Sequence, residues 1–169
     1  MNYIIDGHNL IAKIPGLDLS MLDDEQRLIE LLSRYGQLSR HRIEVYFDGA
    51  PVGQAGARNF GRVRAHFVPQ SQTADDAIRK RLARLGRSAR NWVVVSSDRS
   101  VQAAAREAHA GVMNAEDFAS HLQASLLPAS TQGRSGGAER TPEKSVSEAL
   151  TEAEVNEWLT IFKERRKQM

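Results

Sequence analysis

The stretch Tyr3-Ile4-Ile5-Asp6-Gly7-His8-Asn9-Leu10-Ile11 decides how the rest of the chain is interpreted. Its first apolar residues show no polar alternation, which predicts a strand buried on both faces of a sheet. Gly7 is expected to allow a sharp turn as the chain leaves this strand. Asp6 then stands at the carboxyl end of the strand, where open α/β sheets bind ligands, with Asn9 one turn further on. The alternative is that Asp6 and Asn9 only hydrogen-bond the turn.

Length and composition indicate one globular domain with a tail. The 169 residues are 41% hydrophobic and 26% charged, ordinary values for a soluble protein. The absence of cysteine excludes disulfides, zinc fingers and thiol catalysis. No apolar run is long enough to span a membrane, and the N-terminus lacks the pattern of a signal peptide. We therefore expect a cytoplasmic protein without a membrane partner.

Apolar periodicity predicts alternating strands and helices along the first 126 residues. Further strands are predicted at 43–47, 63–67, 92–95 and 112–113, and helices at 23–34, 73–85, 99–108 and 115–126. Gly36 is expected to end the first helix, and residues 50–59 are expected to form a loop. Polar alternation over 62–67 predicts an edge strand with one wet face. This order predicts an α/β sandwich with a mostly parallel central sheet.

The tail differs in composition from the predicted domain. Residues 127–149 are rich in Ser, Gly, Thr and Pro, which predicts a flexible linker. Residues 150–169 predict an amphipathic helix, with Trp158 and Phe162 in its apolar stripe. This helix is expected to pack on its own chain or a second copy, and docking on a partner is the alternative.

Acidic residues recur directly after predicted strands or at the start of a helix. The set that we expect to share one edge of the sheet comprises Asp6, Asp48, Asp75, Asp76 and Asp98, with Asp117 as an outer member. Crowded carboxylates repel unless a cation compensates them, and Mg²⁺ or Mn²⁺ suits oxygen ligands. Such an ion activates water for hydrolysis of a phosphodiester.

A structural alternative stands beside each acid. Asp75 or Asp76, and likewise Asp98, are suited to capping a helix, and Asp48 to shaping a turn before Gly49. His8 lies inside the first motif, where it is expected to face substrate, but we do not assign it as a base. The acids at the start of the helix at 23–34 are interpreted as first-turn residues that favour the helix dipole.

Basic residues cluster away from these acids. The net charge is only +2 and the pI about 9.1, so the distribution is more informative than the total. Contacts to an RNA backbone are expected from Arg58, Arg62, Arg64, Arg79 and Lys80. For Arg81, Arg84 and Arg87 the alternative is a solvated helix face.

Four motifs in order carry a resemblance to a known family. Ile5-Asp6-Gly7-His8-Asn9, Phe47-Asp48-Gly49, Thr73-Ala74-Asp75-Asp76 and Ser96-Ser97-Asp98 resemble the NYN domain of the PIN-like nucleases, in its bacterial YacP-like branch. The resemblance covers about residues 1–126. It implies a PIN-like three-layer sandwich and a metal-dependent ribonuclease using Mg²⁺ or Mn²⁺.

The resemblance also implies roles for particular residues. Asp6, Asp76 and Asp98 would hold the metal, Asp75 would support them, and Asn9 would orient Asp6 or the substrate phosphate. Asp48 and Asp117 remain accessory candidates. Some relatives carry a further acid where this chain has Gln102. The YacP-like branch further implies messenger RNA as substrate, in association with the ribosome.

Three hypotheses of function follow. The first is a metal-dependent endoribonuclease that hydrolyses RNA phosphodiester bonds. The alternative is a non-catalytic RNA- or ribosome-binding module, to which Gln102 gives room. A small-nucleotide phosphatase is a third hypothesis, against which the basic clusters argue. The sequence makes no prediction of oligomeric state.

Overall fold

The protein was analysed as a computed structural model that describes residues 1–19 and 23–127. Its strands are β1 (Asn2–Asp6), β2 (Arg42–Ala50), β3 (Gly56–Phe60), β4 (Val63–Pro69), β5 (Trp92–Val95) and β6 (Gly111–Met113). Its α-helices are α1 (Gly7–Ile11), α2 (Asp24–Ser39), α3 (Ala74–Leu85), α4 (Arg99–Glu107) and α5 (Ala115–Leu126), and a 3-10 helix spans Gly86–Asn91. The predicted tail helix, and the predicted linker from residue 128 onward, lie outside the described residues.

The six strands form one sheet in the order β3-β4-β2-β1-β5-β6. All neighbours are parallel except β3 and β4, which are antiparallel. The carboxyl ends of β1, β2 and β5 therefore meet at one edge, which we call the acid edge because Asp6, Asp48 and Asp98 lie there.

Each face of the sheet is covered by helices. One apolar core joins the sheet to α1, α2 and α5, and includes Ile5, Leu32 and Phe118. The other joins it to α3 and α4, and includes Ile4 and Ile78. The predicted α/β sandwich with a mostly parallel sheet is thus confirmed. None of the described helices is long and apolar enough to cross a membrane.

The first long helix does not end at Gly36. This glycine is buried within α2, and the helix ends at Arg40, which has a left-handed φ of 58°. A Cβ at Gly36 would lie 3.3 Å from the Cβ of Arg62 and 3.4 Å from the carbonyl oxygen of His41. Gly36 therefore serves close packing against the β3–β4 turn rather than helix termination.

The predicted loop at 50–59 is correct over residues 51–55 but wrong over 56–59, and the strand predicted at 63–67 is present but is not an edge strand. Gly56–Phe60 pairs with β4 as an antiparallel hairpin, so β4 is an interior strand between β3 and β2. The exposed, glycine-containing β3 lacks the apolar alternation that identifies a half-buried strand, and its partner β4 supplies its pairing instead.

Candidate active site

Asp6 is positioned by the abrupt change from β1 to α1. It is the N-cap of α1, and its Oδ1 accepts a hydrogen bond of 3.5 Å from the backbone N–H of Asn9. Gly7 begins this helix instead of forming the predicted sharp turn. A Cβ at Gly7 would lie 2.3 Å from Cε1 of Phe47 and 2.9 Å from the carbonyl oxygen of Tyr46, so only glycine lets α1 start this close to β2.

The carboxylate of Asp6 is buried without a cation. It is 8% exposed, and within the described residues its one hydrogen bond is the long contact from Asn9. Burial, reinforced by the negative charges of Asp75 and Asp48, raises the pKa of Asp6 to about 6, against the effects of Asn9 and His8. An acid in this state is stabilised by any cation that reaches it.

Asp75, rather than Asp76, faces the acid edge. Burial and the charges of Asp98, Asp76 and Asp48 raise the pKa of Asp75, while Arg79 opposes them. Asp76 is exposed, and its backbone N–H donates to Oγ1 of Thr73 at 3.2 Å in the predicted N-cap. The structure thus brings Asp6, Asp48, Asp75 and Asp98 into electrostatic contact and turns Asp76 towards solvent.

Asp98 lies in a loop whose position is fixed by hydrogen bonds, including some from residues outside its Ser96-Ser97-Asp98 motif. It caps α4, and its Oδ1 accepts from the N–H groups of Ser100 at 2.8 Å and Val101 at 3.2 Å. Oδ1 of Asn9 accepts from the N–H of Ser97 at 2.8 Å, so Asn9 ties this loop to α1. The Gln102 amide donates to the carbonyl of Ser96 at 2.8 Å, which gives this position a structural role.

His8 joins two acids beside the edge. Its Nδ1 lies 2.8 Å from Oδ1 of Asp48, and its Nε2 lies 2.8 Å from Oε1 of Glu25. Both ring nitrogens donate to these carboxylates only when the ring is an imidazolium. The hydrogen bond to Glu25, with a further one to Asp48, raises the pKa of His8 although burial opposes it.

The sequence predicts that His8 faces substrate but gives no pattern that pairs it with Asp48, and it does not assign Glu25 to the site. Glu25 follows a segment outside the described residues and reads as an ordinary first-turn acid, so no local pattern distinguishes it. Asp48 reaches His8 because the pairing of β2 with β4 shifts register between Phe47 and Ala50, which re-aims the side chains of β2.

The first turn of α5 contributes Glu116 rather than the predicted Asp117. Glu116 accepts from Oγ of Ser97 and pairs with Nζ of Lys13 at 2.9 Å. Lys13 and Ser97 together lower the pKa of Glu116 to about 2. Asp117 is exposed, and its N–H donates to Oδ1 of Asn114 at 2.8 Å.

The predicted RNA-binding residues occupy four different places. Arg79 lies beside the acid edge, where it donates to Oγ of Ser100, and Arg58 stacks 5.1 Å from the Phe67 ring. Arg62 precedes β4 at the level of Ile43, so it lies roughly 15 Å from the acid edge, at the opposite end of the parallel strands. Arg64 and Lys80 lie on the α3 face of the sheet.

The acid edge suits a hard divalent cation bound partly through water. In residues 1–19 and 23–127, no group of three or more His, Cys, Asp or Glu side chains is already gathered around one metal position. Asp75 nevertheless lies in electrostatic contact with Asp98 and with Asp6, and within the described residues no basic side chain is bonded to the buried Asp6. Mg²⁺ keeps several waters, so the chemistry of these oxygen ligands fits an ion held partly through water.

The sheet order and the position of the acids at its carboxyl edge define an α/β protein with a PIN-like fold. The chain belongs to the YacP-like NYN domain family, because the family's model matches residues 3–163. That match continues beyond residue 126, where the resemblance drawn from the sequence motifs ends.

Solved structures agree on the fold. Rae1 (YacP) from Bacillus subtilis is similar with a TM-score of 0.61 and 24% identity, covering 74% of this chain and 75% of that chain. A tryptophan-to-leucine mutant of Rae1 gives a TM-score of 0.59 and 22% identity, covering 73% of this chain and 76% of that chain. No curated protein matches the chain.

Proposed function

We propose that the protein is a metal-dependent endoribonuclease whose active site is the acid edge. The observation that carries the proposal is the buried Asp6 carboxylate, whose pKa is raised to about 6 by burial and by Asp75 and Asp48, with no basic side chain bonded to it among the described residues. Within a nuclease-type family, an uncompensated buried acid at this edge is best explained by a catalytic cation.

Each residue of the edge has a distinct part in this proposal. Asp6, Asp75 and Asp98 would hold Mg²⁺ or Mn²⁺, directly or through water, so that Asp75 replaces the Asp76 predicted from the motif. When bound, the ion supplies a lowered pKa for a coordinated water and stabilises charge on a phosphoryl oxygen. Asn9 positions the Ser97–Asp98 loop through its 2.8 Å hydrogen bond to Ser97.

Two cations of the chain suit the substrate side. Arg79 lies beside Asp75 and lowers its pKa, so its guanidinium is placed to contact a phosphate next to the cleaved one. When it is protonated, His8 offsets one of the two negative charges of Asp48 and Glu25, which reduces their repulsion of the RNA backbone.

Paired variants test this proposal. Labelled RNA is incubated with Mn²⁺ and with wild type, Asp6→Asn, Asp75→Asn or Asp76→Asn, and cleavage rates are compared. Loss of a metal-holding carboxylate should slow cleavage by about two to three orders of magnitude in the first two variants. Asp76→Asn is the matched control and should cost less than about tenfold; equal losses at Asp75 and Asp76 would contradict the assignment.

One observation favours the non-catalytic RNA-binding module as a second candidate. Gln102 occupies the position of a further acid in some relatives and uses its amide to hold the Ser96 carbonyl. A wild-type protein that binds RNA but cleaves none with Mg²⁺ or Mn²⁺ would support this candidate. Release of phosphate from mononucleotides alone would instead support a phosphatase.

We also propose, from the family resemblance, that the substrate is messenger RNA on the ribosome. Cleavage of one transcript is compared with and without translating ribosomes at equal protein concentration. Faster cleavage in the translating reaction supports the proposal, and equal cleavage of free transcript contradicts it.

A further inference from the structure

A cleft separate from the acid edge lies between α3 and the β3–β4 hairpin. Its volume is about 410 Å³, which is within the range of small-ligand pockets. We call it the α3 cleft. The residues on which the inference rests are Tyr46, His66, Lys80, Arg81 and Arg84, with Gln72 at the end nearest the acid edge.

The cleft is basic, and one of its cations is already neutralised. Nε and Nη2 of Arg81 donate to the two carboxylate oxygens of the buried Glu44, each at 2.8 Å. Lys80 and Arg84 are exposed on the same helix and have no ion pair among the described residues. The described lining of the cleft includes no acid, so its rim attracts anions.

One wall of the cleft is a rigid aromatic surface. The rings of Tyr46 and His66 stack with centroids 4.4 Å apart and planes at 4°. The His66 side chain remains 23% exposed, whereas Tyr46 is buried. Burial, with Arg64 and Arg81, lowers the pKa of His66 against the effect of Glu44, so the ring is neutral at pH 7. Bases stack on neutral, partly exposed rings of this kind.

The cleft lies along the same helix that carries Asp75 of the proposed active site. Asp75 and Asp76 stand in the first turn of α3, Lys80 follows one turn later and Arg84 a turn after that. The helix rise places Arg84 roughly 12 Å from Asp76 along the axis. Lys80 and Arg84 follow Asp76 at four-residue spacing, so a strand that passes the solvent side of the first turn of α3 enters the cleft within a few nucleotides.

We propose that the α3 cleft binds single-stranded RNA next to the cleaved nucleotide, with a base against His66 and phosphates against Lys80 and Arg84. This inference rests on the proposed function and adds to it a path for the substrate. A partly exposed flat ring opposite two cations without ion pairs among the described residues favours a single strand over an acidic peptide, which needs no stacking surface. A cleft of this size also excludes a duplex.

Binding without a divalent ion tests the cleft independently of cleavage. A labelled single-stranded RNA is titrated into the full chain in EDTA at several salt concentrations. Lys80→Ala with Arg84→Ala should weaken binding roughly tenfold and reduce the salt slope by about 1.4, because each single-strand phosphate contact contributes about 0.7. The matched control, Arg87→Ala with Arg90→Ala, removes the same charge from the exposed 3-10 helix and should leave the slope unchanged.

A photo-crosslink tests the stacking part. Thiouridine-containing RNA should crosslink to the β4 peptide that contains His66. His66→Ala should lose the crosslink and bind RNA roughly tenfold more weakly. His66→Phe should retain the crosslink and bind RNA like wild type, because it keeps a flat ring. Crosslinks confined to the acid edge would overturn the proposal.

Other outcomes also decide between the two proposals. An unchanged salt slope in the Lys80 and Arg84 variant, or an equal change in the control, overturns the cleft even where wild type cleaves RNA. A changed slope in a protein that cleaves nothing supports the cleft and counts against the nuclease. Displacement of RNA by polyglutamate at equal charge concentration would show an acidic-peptide surface and overturn the cleft as an RNA site.

Discussion

Helix α3 places side chains of opposite charge beside two buried carboxylates, those of Asp6 and Glu44. At its first turn it places Asp75 beside Asp6, and two turns later it places Arg81 beside Glu44. Asp6 is 8% exposed and Glu44 is 1% exposed, so both acids are largely removed from water. The pKa of Asp6 is raised to about 6. Burial alone would also raise the pKa of Glu44, but the hydrogen bonds and charge of Arg81, with smaller effects of His66 and Tyr46, together lower it.

The difference separates an acid that is ion-paired within the fold from an acid that we propose binds a cation. Glu44 has its counter-ion within the chain, together with the Tyr46 hydroxyl, which donates to it at 3.2 Å. Asp6 has acids as neighbours and no such partner in the described part of the chain. The folded protein therefore supplies the compensation for Glu44 itself, and under the proposed function a cation from solution would compensate Asp6.

Removing the built-in cation should have the largest effect. Arg81→Met leaves Glu44 buried and unpaired, which should lower the free energy of unfolding by about 3–5 kcal/mol. Urea unfolding measures this, with the exposed Arg84→Met as control at about 0.5 kcal/mol or less. If Arg81→Met does not fold, the double variant with Glu44→Gln should recover folding, since the unpaired charge is then gone. Equal stability of the Arg81 and Arg84 variants would contradict the comparison.

Adding the missing cation should stabilise the other end of α3. Mn²⁺ at 100 times its dissociation constant should raise the free energy of unfolding by about 2.7 kcal/mol. Thermal unfolding with and without Mn²⁺ should show this shift in wild type and Asp76→Asn, and lose it in Asp6→Asn and Asp75→Asn. A shift that persists without Asp6 would move the metal away from the acid edge.

The positions of Asp6 and Asp98 at the acid edge could be predicted from the sequence, because the end of a strand is a local feature. The apolar runs at Tyr3–Ile5 and at Trp92–Val95 stop where Asp6 and the Ser96-Ser97-Asp98 motif begin, and the structure keeps those positions. Parallel pairing of β1 with β5 then brings the two ends together. A motif of this kind needs only the strand boundary and the direction of the sheet.

Which of Asp75 and Asp76 faces the acid edge depends on the orientation of each side chain around the helix axis. The pair Asp-Asp in the sequence does not by itself give that orientation. Successive residues of a helix differ by about 100°, so only one of the two acids follows the buried side marked by Ala74 and Ile78. The contacts of His8 with Glu25 and Asp48 join residues far apart in sequence, and no spacing rule links them. Arg62 was placed near RNA because the β3–β4 hairpin, which carries it to the opposite end of the strands, was not recognised.

Replacing Asp6 should sharpen the comparison in metal-free protein. The folded pKa of about 6 lies above the ordinary value of 3.8, so the native state favours protonated Asp6 and loses stability as pH rises through this interval. Asp6→Asn keeps an oxygen for the cap and removes the charge, and should be more stable than wild type by about 2 kcal/mol at pH 7. The advantage should vanish near pH 4. Chemical unfolding in EDTA across this range measures it, and an advantage independent of pH would contradict the assignment.

The smallest expected effect separates the structural and electrostatic parts of Asp98. Its Oδ1 accepts two backbone hydrogen bonds at the start of α4, and its charge raises the pKa of Asp75. Asp98→Ala loses the cap and should cost about 1 kcal/mol, whereas Asp98→Asn keeps an acceptor and should cost a few tenths or less in metal-free protein. Chemical unfolding in EDTA compares the two variants.

RNA cleavage rates should not follow the stabilities of these two Asp98 variants. Both lose the carboxylate that would hold the ion, so both should be slow in Mn²⁺ even though Asp98→Asn is as stable as wild type. If Asp98→Asn instead cleaves like wild type, Asp98 is a helix cap alone. In that case only Asp6 and Asp75 remain as proposed metal ligands at the acid edge, and the contrast with the ion-paired Glu44 rests on these two acids.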